Sequence, residues 1–249
     1  MSAKPRLLDL FCGAGGASVG YSRAGFEVVG VDIKPQPRYP FEFVQADALD
    51  FLRSKKWAVD TALETWDQWD AIHASPPCQF ATAYKRTGNV KDSPNLIHEA
   101  RELLDATGLP WVIENVEQAS PWMFGYTMLC GSMFDPPMEI QRHRLFETSY
   151  HWELQPPQWP CRHKLNGKDR YPGGRSKSRT GSSRGLVRAT MEIGSWDIPL
   201  SVQQEAMDID WMTLEELSQA IPPAYTEFIG TQLMQYVREP VRTLSGVRE

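Results

Sequence analysis

The chain has 249 residues, a net charge of −5 and four cysteines. That length suits one large α/β domain or one domain with a small insert, and 41% hydrophobic residues can build a sizeable core. Cys12, Cys78, Cys130 and Cys161 are widely spaced without a C-x-x-C pair, which argues against a disulfide framework and a four-cysteine metal site. The opening residues hold too short an apolar run for a signal peptide, and no segment reaches membrane-spanning length. A soluble protein of a reducing compartment is expected.

Arg6 to Phe11 reads as a first strand running into a glycine-rich turn, Cys12-Gly13-Ala14-Gly15-Gly16. A short helix follows and stops at Gly25. Glu27 to Val31 forms a second strand that ends at Asp32, and Phe41 to Gln45 a third that ends near Asp47. Ala71 to Ala74 is a fourth. Ser93-Pro94 then starts a helix, as N-cap and first helical residue. Leu96, Ile97, Ala100, Leu103 and Leu104 share one face of it, and Gly108 closes it. Trp111 to Ile113 is a fifth strand that runs into Glu114-Asn115-Val116. Strands alternating with helices at this spacing predict a parallel, doubly wound sheet.

Ligands of such sheets sit beyond the carboxyl ends of the strands. Gly13 to Gly16, Asp32, Asp47, Cys78 and Glu114 all fall there, and no periodicity rule requires that gathering. Cys78 follows two prolines in Ser75-Pro76-Pro77-Cys78-Gln79. Prolines fix their own φ and bias the residue before them toward extended geometry, so the loop presents the sulfur rigidly. A lone cysteine is more often packing; the company of polar residues at the same rim favours a nucleophile.

The pattern breaks after residue 150 and regains order near Gly194. Residues 161–190 carry nine Lys or Arg and one acid, a local charge of +8 on a remainder of −13. A polyanion would be drawn to that one place, although charge runs are commonly solvated loops. Ile221-Pro222-Pro223 opens a last helix with Tyr225, Phe228, Ile229, Leu233 and Tyr236 on one stripe. The expected organisation is a catalytic and cofactor-binding domain over 1–150, a small basic insert over 151–196, and a helical segment over 197–249 that returns to the first domain.

Gly13-x-Gly15-Gly16 is not the G-x-G-x-x-G of nicotinamide enzymes, and no phosphate-binding lysine follows. Asp32 suits a ribose hydroxyl pair or, equally, a turn cap. An adenosine-type ligand without a required phosphate fits best. Cys78 and Glu114 at adjacent strand ends can face one bound ring. For cytosine the pairing has a chemical logic: thiolate addition at C6 makes C5 enamine-like, and a carboxyl protonating N3 assists. Such a carboxyl requires a raised pKa. Arg142 and Arg144 alternate, so on an extended strand they point the same way and could hold a base carbonyl or a phosphate. His151, Cys161 and His163 lack a regular metal-ligand spacing, and no metal is expected.

Together these residues resemble the DNA (cytosine-5) methyltransferases. Asp9-Leu-Phe-Cys-Gly-Ala-Gly-Gly16 resembles the motif that binds S-adenosylmethionine, Pro76-Pro77-Cys78-Gln79 the catalytic motif, and Glu114-Asn115-Val116 the Glu-Asn-Val motif. Arg142-His143-Arg144 and Ile221 to Gly230 resemble the later motifs. The matches keep the family's order over residues 6–147 and 197–236. The resemblance implies a Rossmann-like, doubly wound methyltransferase fold with a small target-recognition insert. It implies Cys78 as nucleophile, Glu114 at N3, and Arg144 with Arg142 orienting the base. The cofactor would meet Phe11, Gly13, Ala14, Gly15, Gly16, Asp32, Ile33, Asp47, Ala48, Pro77 and Gln219. Gln79, Thr82, Arg175, Lys177, Arg179 and Arg184 would meet double-stranded DNA, with the target base flipped out.

The chain departs from the family in two places. Ile140 stands where a glutamine usually precedes the Arg-x-Arg, and Ser218-Gln219 replaces Gly-Asn before the closing motif. The insert is short, which favours a brief target site, as in a phage or orphan modification enzyme of the bacterial cytoplasm. A monomer is the default expectation. Action on RNA or free nucleotides, a non-catalytic DNA-binding relative, and an unrelated oxidoreductase are the alternatives.

Overall fold

A computed structural model of the chain describes residues 3–57, 68–81, 94–161 and 191–239. Seven strands form one sheet in the order β3-β2-β1-β4-β5-β7-β6. The strands are β1 (Arg6–Leu10), β2 (Glu27–Asp32), β3 (Glu42–Gln45), β4 (Ala71–Ala74), β5 (Trp111–Val116), β6 (Thr127–Leu129) and β7 (Arg144–Thr148). The first five run parallel, and β7 and β6 add antiparallel at one edge. The helices are α1 (Gly16–Arg23), α2 (Ala48–Trp57), α3 (Ile97–Asp105), α4 (Leu200–Met207), α5 (Leu214–Gln219) and α6 (Pro223–Arg238).

The strands are apolar on both faces because both are covered. Leu8, Leu10, Val29, Val31, Ile72, Ala74 and Ile113 pack with α2 and α3 on one side. Leu7, Val28, Ala71 and Val112 pack with α1 and α6 on the other. The alternation is the period of two that a strand imposes. Between those apolar positions β1 and β4 bury two polar side chains, Asp9 and His73, which the register sets opposite each other. Helix α1 covers them one turn apart: Ser18 donates to Asp9, and the Tyr21 hydroxyl is 2.9 Å from His73 Nδ1.

Helix α6 lies against α1 at close range. A Cβ on Gly20 would stand 2.1 Å from Thr226 Oγ1 and 2.2 Å from the Pro223 carbonyl oxygen. Thr226 donates to the Ala17 carbonyl at 2.8 Å, joining the helices inside their contact. The small helices α4 and α5 build a third apolar cluster with Met191, Ile193 and Ile198, and Ala14 of the glycine turn belongs to it. Thr213 and Glu216 form a reciprocal capping box at the start of α5. Among the described residues no helix is long and apolar enough to cross a membrane.

Three readings from the sequence need correction. Helix α3 starts at Ile97, not at Ser93-Pro94: Asn95 Oδ1 accepts the Ile97 N–H at 3.1 Å and opens the helix there, while Ser93 lies outside the described residues. Strand β1 stops at Leu10, because Phe11 turns into the left-handed region at φ 57°. Arg142 precedes β7 rather than sharing an extended strand with Arg144.

Candidate active site

The parallel register aligns Leu10 with Val31 and Ala74, and Ala74 with Ile113. The residues one step further along, Phe11, Asp32, Ser75 and Glu114, therefore form one rim. It lies over the point where β1 has β2 on one side and β4 on the other, the switch point of the doubly wound sheet.

The Pro-Pro-Cys loop is held from both flanks. The Ser75 N–H donates to the Leu10 carbonyl at 3.1 Å, and Asn115 Nδ2 donates to the Pro76 carbonyl at 3.0 Å. Phe80 anchors the far side, edge-on to Trp122 at 5.1 Å. Cys78 is left half-buried and Gln79 exposed.

Glu114 is buried on β5 and paired with Arg144, Nε to Oε1 2.9 Å. Pairing of β5 with β7 sets Arg144 opposite Val116, so the guanidinium reaches back along the ladder to the carboxylate. Burial pushes the Glu114 carboxyl above its usual range, while Arg144, Arg142 and a Ser75 hydrogen bond pull it part of the way back. Burial, then the Glu114 charge, raises the Cys78 thiol; Arg144 and Arg142 oppose this. Nucleophile, carboxyl and two guanidiniums thus share one electrostatic environment, with a carboxyl suited to carrying a proton and a thiol protonated at rest.

Arg142 is buried and donates to the Ser218 carbonyl at 2.7 Å, while its own carbonyl accepts from the Tyr225 hydroxyl at 2.7 Å. Burial pulls its pKa down to about 9. It therefore ties the end of α5 and the start of α6 to the active rim. The unusual Ser218-Gln219 pair meets the site through the Ser218 backbone, and Gln219 is exposed at the end of α5. Ile140, in the place of the expected glutamine, is buried and bridges to Met191.

The glycine turn divides its roles. Gly13, at φ +50°, has nothing within 4 Å of a would-be Cβ, so its surface is open to a ligand. Gly15 gives way to Pro40, 2.7 Å from such a Cβ, and Gly16 to the Ile221 carbonyl at 2.5 Å. Those two positions serve close packing by the protein itself. The Ala14 side chain is buried, and its carbonyl accepts from Trp211 Nε1 at 2.8 Å. Asp32 accepts from the Gly13 N–H at 3.0 Å and the Lys34 N–H at 2.9 Å, and so caps the turn. Asp47 Oδ1 accepts from Leu49 and Asp50 and caps α2, whose first residue Ala48 is buried. Ile33 is 62% exposed beside Asp32, an apolar surface at the mouth, with Phe11 and Pro77 half-buried nearby.

An open Gly13, an exposed Ile33 and two rim carboxylates suit an adenosine-type cofactor. Thr82, Arg175, Lys177, Arg179, Arg184 and His163 lie outside the described residues. The His151 ring lies tilted against the Tyr150 ring, centroids 3.9 Å apart; Cys161 lies instead beside Cys130 and His143.

Sequence reasoning gave no role to Asp9, His73 and Ser75. His73 Nε2 is 2.8 Å from Ser75 Oγ, so Tyr21, His73 and Ser75 form a hydrogen-bonded chain that ends on Glu114. Burial holds the His73 pKa down to about 3, and the ring is neutral. The signal was present: a polar residue inside an otherwise apolar buried strand costs free energy unless something pairs with it.

Strand order and rim define a Rossmann-like domain of the S-adenosylmethionine-dependent methyltransferase type. Comparison with known proteins agrees. The family model for C-5 cytosine-specific DNA methylases matches residues 5–123. The Type II methyltransferase M.HgiGI of Herpetosiphon aurantiacus is 34% identical over 122 residues, covering 46% of this chain and 92% of that protein. The chain belongs to the C-5 cytosine-specific DNA methylase family. In fold it is similar to a candidate DNA modification methyltransferase encoded within a prophage (E. coli), at TM-score 0.54 and 15% identity over 94% of this chain and all (100%) of that one. The Entamoeba histolytica methyltransferase EhMeth matches at TM-score 0.50 and 13% identity, over 95% and 98% of the two chains.

Proposed function

We propose that the protein methylates C5 of a flipped-out cytosine in double-stranded DNA through a covalent adduct at Cys78. One observation carries this: a rigidly held cysteine shares its environment with a buried Glu114 whose pKa burial raises and which Arg144 holds in place. Cys78 Sγ bonds to C6, its proton leaving to solvent, while the C5=C6 electron pair shifts into the ring and N3 takes a proton from Glu114. C5 is then nucleophilic. Gly13, Asp32, Ile33 and Asp47 would hold S-adenosylmethionine, which when bound would supply an electrophilic methyl group to C5 and be left as a neutral thioether. Loss of the C5 hydrogen as a proton, with breakage of the S–C6 bond and return of the N3 proton to Glu114, restores the aromatic ring, and the departing thiolate regains a proton from solvent.

Arg144 keeps the carboxyl of Glu114 in place and offsets negative charge as the thiol ionises. The protonated resting thiol limits side reactions before the base arrives. The charge of the basic segment 161–190 suits it to phosphate contacts.

A duplex containing 5-fluorocytosine tests the reading, because fluorine cannot leave as a proton. Incubation with cofactor should leave DNA covalently attached to a peptide containing Cys78. Cys78→Ser should abolish both the adduct and methyl transfer while keeping cofactor affinity. Full activity in that variant would rule out the mechanism. Transfer to RNA or free dCMP, with none to duplex DNA, would overturn the substrate.

A further inference from the structure

Strands β6 and β7 pair antiparallel with Leu129 opposite Arg144. The next step of that ladder sets Cys130 beside His143. Cys161 returns to the same spot from the end of the described stretch that contains β7: its Sγ is 3.4 Å from His143 Nε2. Ser132 Oγ lies 3.5 Å from Cys130 Sγ and 3.7 Å from Cys161 Sγ. The three ligating atoms of Cys130, His143 and Cys161 all lie within 4.8 Å of one another. On the other side of the ring, His143 Nδ1 is 2.8 Å from Glu117 Oε2. A carboxylate there keeps the proton on Nδ1 and leaves the Nε2 lone pair facing the sulfurs.

The geometry points to a structural zinc site built from Cys130, His143 and Cys161 and oriented by Glu117. Two thiolates and an imidazole are the donors that borderline-soft Zn²⁺ selects, whereas Mg²⁺ and Ca²⁺ require oxygen. Zinc bond lengths of about 2.0–2.3 Å in a tetrahedron place neighbouring donors roughly 3.6–3.8 Å apart. The His143–Cys161 separation is already close to that, and the widest pair needs a contraction of about 1 Å. These residues supply three of the four donors of a tetrahedral site.

The site explains a placement that methyl transfer does not use. Cys161 is the first residue of the basic segment, and His143 separates Arg142 from Arg144. A metal there would tie Cys161 to the residues just beyond β6 and just before β7, next to the Arg144 that clamps Glu114. The inference stands whether or not the chain methylates DNA.

The test uses the full chain without a polyhistidine tag, purified under reducing conditions. Elemental analysis by plasma mass spectrometry should find close to one zinc per chain after dialysis against a weak chelator. His143→Gln and Cys161→Ser should lose it, and Glu117→Gln should weaken competition against a chelator by about 10–100-fold. Circular dichroism checks that each variant is folded. Cobalt(II) substitution of the unmodified protein adds a readout that needs no variant: tetrahedral d–d bands with thiolate charge transfer. Substoichiometric zinc, metal content unchanged in Cys161→Ser, or cobalt bound without thiolate bands would overturn the site.

Discussion

Asp9 sits beneath α1 with no exposure, its Oδ2 accepting from Ser18 and its Oδ1 without a hydrogen-bond partner among the described residues. Burial lifts its pKa from 3.8 to about 7; the Ser18 hydrogen bond opposes that shift, and the charges of Asp32 and Glu114 add to it. An unpaired buried oxygen is far cheaper on a neutral carboxyl than on a carboxylate. Between about pH 4 and pH 7 the folded protein therefore holds a proton that the unfolded chain has released. Stability must fall as pH rises through that window, by about 1.4 kcal/mol per unit and about 4 kcal/mol in all. Asp9→Asn removes the titration and keeps an acceptor for Ser18. The stability of the variant minus that of the unmodified protein should climb by about 4 kcal/mol between about pH 4 and pH 7 and be level on either side. Urea denaturation followed by tryptophan fluorescence, in half-unit pH steps, measures it. The difference is needed because His73 acts in the opposite sense. Held neutral with a pKa near 3 against an ordinary 6.5, it costs stability as pH falls through the same range. A flat difference would mean that Asp9 is ionised in the folded protein, and the burial argument would fail.

Further outcomes follow from other contacts. Glu114→Gln should cut single-turnover methyl transfer by about 100-fold or more at neutral pH. At mildly alkaline pH it should speed iodoacetamide alkylation of Cys78, because the charge that raises the thiol is gone; peptide mass spectrometry reads the site, and slower alkylation would refute the coupling. Gly20→Ala should force α6 off α1, since Thr226 Oγ1 and the Pro223 carbonyl occupy the place of the new methyl. A loss of about 1–3 kcal/mol or more is expected in thermal or urea unfolding, and an unchanged midpoint would refute the close packing. Neutralising Arg175, Lys177 and Arg179 together should weaken DNA binding and reduce its log–log salt slope by about 3. An unchanged slope in a filter-binding titration would make the basic segment a solvated loop.

Much of the parallel half was legible in the chain. Val28, Val29 and Val31, the Ala71–Ala74 segment and Trp111 to Ile113 are local signals, because strands buried on both faces must be apolar throughout. Gly13 and the Pro-Pro-Cys loop declared themselves through residue types that act on their own backbone. Cys78 and Glu114 could be assigned to one rim because strand ends in such a sheet align. The antiparallel edge was not legible: β6 is three residues long and carries no turn signature. Its pairing depends on β7 finding β5.

Tertiary structure alone decided what each rim residue touches. Sequence offered Arg142 and Arg144 as equivalents; packing sent one to the Ser218 carbonyl and the other to Glu114. It offered three glycines to a ligand; the Ala220-Ile221 segment and the Tyr39-Pro40 segment claimed two of them. It brought Cys130, His143 and Cys161 together from separate stretches. The reason is the range of the forces. Backbone preference and hydrophobic period act over a few neighbouring residues and are written in the chain. Hydrogen bonds, desolvation and charge pairing act between whichever groups the fold makes adjacent.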